Sequence, residues 1–415
     1  MSEAAFTFFY ERLLKKPNDP IALTFVLGFD SLPIQAEKSL FDLGQWCRER
    51  PALADLLSRT ASGQIAAWLV DQTDGPADVS RQDWSEFRDR FAAHQARFGH
   101  AIYDLDFAKP TPADDPTPLL ETMKLLVQGQ GSDPYRRQQQ AIHRRAEAVR
   151  SVGARLRGWR RSWFYRLLNW AQRYAPLRED ALGDTGLGWP LLRRMLLELG
   201  RRLTSAGAIH RAEDVFWLTE SELHELAEAL DSGSLQLDAR TPVIDERRAR
   251  IQAEGLHTPP PSLPPKVTLA GLDFSRWLPA RADEQSGNML KGLGASPGRV
   301  TATARVLRGP EDFGEMKPGE ALVAAITTPA WTPLFTLAAA VVTDVGGPLS
   351  HSSIVAREYG VPAVLGTGVA TRRIRSGDVI TVDGSAGVVT LPEEFHPSVP
   401  PLRNVCPPPH HIRWD

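Results

Sequence analysis

Cysteine is nearly absent: Cys47 and Cys406 are the only two in 415 residues. They are too few and too far apart for a disulfide framework or a zinc site, and that scarcity fits a reducing compartment. Long apolar runs are missing as well. No stretch approaches the ~20 residues that cross a bilayer. The N-terminal MSEAAFTFFYERLLKK carries neither a basic n-region nor a small-residue cleavage site. Net charge is small, since 48 basic against 50 acidic residues leaves −2, so no global field draws in nucleic acid or anionic membrane. The expectation is a cytoplasmic protein with no nucleic-acid and no membrane partner. Nowhere does a Lys-Ser or Lys-Thr follow a glycine run at P-loop spacing.

Hydrophobic residues make up 42% and charged residues 24%, as in a globular chain of two or three domains. Residues 1–257 read as helical. Leu119, Leu120, Met123, Leu126 and Val127 recur at helical spacing, as do Leu191, Leu192, Met195, Leu196 and Leu199. Turn-rich pieces at 109–118 and 183–190 break the pattern. The run HTPPPSLPPK (257–266) opens a stiff, proline-rich linker placed at 258–288. Beyond it the texture changes. RVTATARVL (299–307) alternates as a strand does, EALVAA (320–325) and AAVVTD (339–344) are short buried-type strands, and 378–391 reads as a two-stranded hairpin. A proline-rich tail occupies 395–415. The predicted fold class is α+β multidomain: a large α-helical domain, then a small β/β/α domain at 289–394.

The most informative run is VVTDVGGPLSHSSIVAREYGVPAVLG, 341–366. A strand ends at Thr343, Gly346 and Gly347 follow, and a helix HSSIVAREY is expected with Ser350 as N-cap and Gly360 as left-handed C-cap. His351 then lies in the first turn, where free N–H groups and the positive helix end point outward. That end disfavours the imidazolium and welcomes a phosphate on the ring. The glycine pair lets backbone approach closely. The chemistry expected is a histidine nucleophile presented to solvent, passing on a phosphoryl group. Taken alone, a histidine behind a glycine turn is more often a capping or surface residue.

The segment resembles the phosphohistidine signature of the phosphoenolpyruvate-utilising enzymes. GLGASPGRVTATARVL (292–307), PAWTPLF (329–335) and GDVITVDGSAGVV (377–389) resemble further landmarks of the same swivelling domain. The resemblance implies that His351 is phosphorylated, with Gly346, Gly347, Ser350, Ser352 and Arg357 around the phosphate. Leu349 stands where the synthase and dikinase members carry threonine. This Leu-Ser-His form is similar to the rifampicin phosphotransferase branch, as is the order of helical part before swivelling part. Residues 173–223, with Arg178–Glu179 and EDVFWLT, resemble that branch's helical segment. RFGHAIYDLDFAKP (97–110) is a looser match, with Ala101 in an arginine position, and Leu182 replaces a lysine that some members carry.

The resemblance implies a phosphotransferase that meets a small-molecule acceptor on the helical domain. It implies ATP and Mg²⁺ on an ATP-grasp chain acting in trans, because residues 1–290 show no phosphate loop with its lysines and carboxylates. No cofactor and no metal is assigned to this chain. Alternatives are a non-catalytic docking or regulatory protein, a phosphoenolpyruvate-dependent phosphocarrier, or part of a longer kinase separated by gene splitting. Arg178 and Glu179 suit an acceptor or transferred phosphate, and equally an ordinary ion pair. His100, near Asp104 and Asp106, is a candidate base for an acceptor hydroxyl. Eleven arginines from Arg136 to Arg173 interleave with Trp159, Trp163 and Trp170. The tryptophans are expected to face a core and the arginines water. His410 and His411 make a poor metal site without further ligands.

Overall fold

Prolines punctuate the helical part. Pro33, Pro51, Pro118, Pro134 and Pro190 each sit in a first helical turn, where a missing N–H leaves no bond unmade. A computed structural model describes residues 2–71, 75–233, 237–254, 287–347 and 350–392, with two short strands at 268–269 and 272–273. The rest of the 258–288 linker and the whole 395–415 tail lie outside the described residues.

The helical part comprises α1 (Ser2–Leu13), α2 (Leu32–Arg48), α3 (Pro51–Arg59), α4 (Ser62–Val70), α5 (Arg81–Phe98), α6 (Thr117–Val127), α7 (Pro134–Arg155), α8 (Gly158–Gly183), α9 (Trp189–Ser205), α10 (Glu220–Asp231) and α11 (Thr241–Glu254). It has two main cores. Leu40, Leu53, Trp84, Phe87, Leu120 and Met123 join α2 to α6, while Phe6, Tyr10, Phe25, Val152 and Phe164 join α1, α7 and α8. Pro176 lies inside α8 and cannot supply the N–H that would reach back to Gln172.

The second part is an eight-stranded mixed sheet. Its strands are β1 (Met289–Lys291), β2 (Leu293–Ser296), β3 (Arg299–Leu307), β4 (Ala321–Ala324), β5 (Ala340–Thr343), β6 (Ala363–Leu365), β7 (Val379–Asp383) and β8 (Val388–Thr390). The order is β1-β8-β7-β3-β4-β5-β6-β2. The four strands β3 to β6 are parallel, with antiparallel strands on either side. Helix α12 (His351–Tyr359) and the 3₁₀ helix Pro329–Thr336 cover one face, and α13 (Ala370–Arg373) lies against the other. The α+β class and the order of the two parts are as expected, and β3 has the predicted bounds.

The tryptophan expectation is overturned. Trp159 is 59% exposed, Trp163 46% and Trp170 44%, so this stripe of α8 faces solvent. Phe164, Leu168 and Ala171, one residue on from Trp163 and Trp170 or two before, take the core positions. In α9, Leu191, Leu192 and Met195 are likewise exposed, and Arg193 is buried instead. It bonds Asp114 at 3.1 Å and the Phe107 carbonyl at 2.8 Å.

Candidate active site

Helix α12 forms as its sequence dictates. The Ser350 hydroxyl accepts from the Ser353 N–H, and the helix ends at Gly360 with φ +66°, a conformation glycine adopts without a Cβ penalty. The turn before it is closed by Ser350, whose hydroxyl donates to the Gly347 carbonyl at 2.9 Å. Gly346 is crowded, because a Cβ there would meet the Leu365 side chain at 3.1 Å, while Gly347 faces open space.

His351 is not presented to solvent. The residue is 4% exposed, and its ring lies between Glu179 of the helical part and Thr332 of the small part. Nδ1 lies 3.0 Å from Oε2 of Glu179, near the end of α8. Nε2 lies 3.1 Å from the Thr332 hydroxyl. The physical reason is docking: the two parts close over the ring, and a buried carboxylate and a hydroxyl replace water. Two proton arrangements satisfy these distances. If the Thr332 hydroxyl donates to the Pro329 carbonyl, 2.7 Å away, both ring nitrogens are donors and the ring is an imidazolium. If it donates to Nε2, the ring is neutral with its proton on Nδ1.

Behind Glu179 stands a chain of charges. Arg178 donates to Oε1 of Glu179 at 3.3 Å and, through Nη1, to Glu3 of α1. Burial acts to raise the Glu179 carboxyl, but the hydrogen bond and charge of His351, with Arg178 behind them, hold it below its ordinary value. Glu3 is raised, chiefly by burial, against the pull of Arg178. Arg357 donates to the Ala295 carbonyl at 2.8 Å and to Ser353. Burial, then the like charge of Arg178, pushes it down to about 10. A buried guanidinium, that of Arg357, and a half-buried one, that of Arg178, feel one another and make a region that an anion would stabilise.

Thr332 also borders a small cleft between the two parts. Its walls are mostly apolar, among them Leu32, Leu40, Phe98, Tyr103, Leu119 and Pro333. The polar groups on it are Glu37, His94, His100 and Thr332, and no lysine or arginine lines it. His94 bonds Ser39 at 3.0 Å, and burial pushes it down to about 4, so it is neutral. His100 Nε2 is 3.4 Å from Oδ1 of Asp184.

Of the residues predicted for the site, the structure brings His351, Arg178 and Glu179 into one hydrogen-bonded group. His100 is placed on the adjoining cleft. Ser352 turns aside to Thr327, 2.8 Å away, and Gly346, Gly347 and Ser350 shape the turn. Sequence reasoning missed Glu3, Thr332 and Glu37. Thr332 lay inside the quoted PAWTPLF landmark, whereas nothing local marks Glu3 or Glu37. Among the described residues no group of three or more His, Cys, Asp or Glu could hold a metal ion, and no helix is long and apolar enough to cross a membrane.

Comparison with known proteins brackets this site. Residues 316–387 match the mobile domain of PEP-utilising enzymes, and residues 10–179 match the fourth domain of rifampicin phosphotransferase. His351 lies within the first match, and Glu179 is the last residue of the second. The chain is 30% identical over 393 residues to chondramide synthase cmdD of Chondromyces crocatus, covering 90% of this chain and 10% of that protein. It is 30% identical over 386 residues to the prodigiosin synthesizing transferase PigC of Serratia marcescens, covering 92% of this chain and 41% of PigC. It is 28% identical over 360 residues to a rifampicin phosphotransferase of Streptomyces sviceus, covering 85% and 39%. The chain thus spans between a tenth and about two fifths of the length of these relatives.

Proposed function

For a chain that belongs to the PEP-utilising enzymes, on the branch that holds rifampicin phosphotransferase, we propose a phosphotransferase role in which His351 carries the phosphoryl group to an acceptor in the interdomain cleft. The observation behind it is the juxtaposition of the ring with both Glu179 and the Thr332 edge of that cleft.

Glu179 holds Nδ1 as the protonated nitrogen, so Nε2 is the atom that bonds phosphorus. In loading, the donor's P–O bond breaks as the Nε2–P bond forms. In delivery, the N–P bond breaks, an acceptor hydroxyl oxygen bonds phosphorus, and Nε2 regains its lone pair and takes the hydroxyl proton. The docked ring, in the arrangement where Thr332 donates to the Pro329 carbonyl and both nitrogens carry protons, fits the state after delivery. Arg178 and Arg357 offset the phosphate charge, and closure over the ring excludes water that would hydrolyse the N–P bond. The cleft wall suits an uncharged, apolar acceptor bearing a hydroxyl. His100 is the second candidate for receiving its proton. With both nitrogens engaged, loading requires the small part to leave the helical part. ATP with Mg²⁺ on an ATP-grasp partner in trans remains our proposed source.

One observation favours a second reading. A histidine buried in an ion pair also suits a docking or regulatory protein in which His351 never carries phosphate. Phosphoramidate, a small phosphoryl donor that modifies accessible histidines without an enzyme, separates the two. The carrier reading expects one acid-labile, 80 Da adduct at His351, absent from His351→Ala and lost faster when an apolar alcohol acceptor is added. No adduct at His351 over hours, with other histidines labelled, would overturn it.

A further inference from the structure

The same helix that begins with His351 ends with Tyr359, eight residues and about 12 Å later at 1.5 Å per residue. Its far end is tied to the helical part as firmly as its near end. The Tyr359 hydroxyl donates to Oε2 of Glu37, on α2. Arg137, on α7, donates to the other oxygen of Glu37, and its guanidinium stacks 3.6 Å from the Tyr359 ring centroid. Arg144 of α7 reaches the Glu358 carbonyl at 3.5 Å. Phe335, from the 3₁₀ helix beside α12, packs edge-on against the same tyrosine ring at 6.0 Å.

We propose that Glu37, Arg137 and Tyr359 are positioning residues that latch the small part in the orientation where His351 meets Glu179 and the cleft. This rests on the reading of His351 as a carrier that must leave the helical part to be loaded. One contact at His351 would leave α12 free to pivot about its first turn. A second, at the other end of a rigid helix, fixes its direction as well. The groups are matched for this task. Glu37 is buried and accepts from two partners that come from different parts of the molecule, Arg137 from its own part and Tyr359 from the other. On undocking, Arg137 and Glu37 keep one another while Tyr359 goes to water, so the latch opens without stranding a buried charge. Arg137 keeps a flat face ready for the returning ring, an arrangement lysine cannot reproduce. Glu37 also lines the acceptor cleft, which places the latch against any molecule bound there.

The test uses the full chain with Cys406→Ser and spin labels at Gln64→Cys and Lys317→Cys, both exposed positions. Pulsed dipolar spectroscopy reads the docked and undocked populations, and the rate of phosphoramidate labelling of His351 reads its accessibility. Tyr359→Phe keeps the ring and its packing but removes the hydroxyl, and Arg137→Lys keeps the charge but removes the stack. Each is expected to raise the undocked fraction and the labelling rate by about tenfold, the scale of one hydrogen bond to a charged group. Distances and labelling rates equal to wild type in both variants would overturn the latch. If distances shift but His351 never takes label, the latch stands and the carrier reading fails. If His351 takes label at an unchanged rate with unchanged distances, the carrier reading stands and the latch fails.

Discussion

Glu179 decides what the His351 ring can do. Burial raises this carboxyl, yet the imidazole and Arg178 hold it below its ordinary value, so Nδ1 faces a charge that prefers a proton there. Nε2 is thereby left as the reactive nitrogen. Replacing Glu179 with glutamine keeps the shape and removes the charge. A hydrogen bond to a charged group is worth roughly 1.5–3 kcal/mol, so Glu179→Gln is expected to raise the undocked fraction at least tenfold. It is also expected to slow delivery from phosphorylated His351 by a similar factor. Spin-label distances and the decay of the 80 Da adduct check both, and a variant indistinguishable from wild type would remove Glu179 from the mechanism. The sequence shows Glu179 as half of a recognisable Arg-Glu pair. It does not show Glu3, which completes the charge chain from α1 through Arg178. No spacing rule links positions so far apart; only the packing of α1 on α8 does.

Helix α12 and helix α8 illustrate what local pattern can and cannot specify. Cap chemistry is local, so Ser350 and Gly360 locate α12 to the residue. Ser350→Ala is expected to destabilise the small part by about 1 kcal/mol through the lost cap. Gly360→Ala, which forces a Cβ into φ +66°, is expected to cost about as much or more. Denaturant unfolding measures both, and unchanged midpoints would contradict the cap assignments. Burial is different, because periodicity gives a helix its stripes without saying which stripe meets the core. In α8 the tryptophan stripe and the Phe164, Leu168, Ala171 stripe are both apolar, and α1 packs on the second. Trp163→Ser and Trp170→Ser are therefore expected to stay within about 0.5 kcal/mol of wild type. Phe164→Ala should cost about 3–5 kcal/mol and Leu168→Ala about 2–5. The reverse ranking would restore the tryptophans to a core. His351 was misplaced for a related reason: a helix N-terminus seen by itself is open to water, and only the docking of another part covers it.

At the scale of the whole molecule, docking brings acids together and so depends on pH. Glu358 accepts a hydrogen bond from the Gly28 N–H and lies near Glu179, Glu37, Arg137 and Arg145. Burial, then the charges of Glu179 and Glu37, pushes it up to about 8 from an ordinary value of 4.5. Glu37 and Glu3 shift the same way, mainly through burial. An acid whose value is raised on docking is protonated in both states below about 4.5 and in neither above about 8. Between these limits the docked state holds the extra proton, and docking weakens steadily as pH climbs. Glu179 acts in the opposite sense. Its value is lowered, so its contribution is present at and above the ordinary carboxylate range and disappears as the solution becomes more acid than that. The docked fraction should thus peak in mildly acid solution and fall through neutrality toward pH 8. Glu358→Gln, which removes a strongly raised carboxyl, should flatten the alkaline limb and leave the acid limb in place. Spin-label populations recorded from pH 4 to 9 read both limbs directly. A docked fraction that rises between pH 6 and 8, or an alkaline limb that Glu358→Gln leaves untouched, would show that these carboxyls are not brought together by the closure that buries His351.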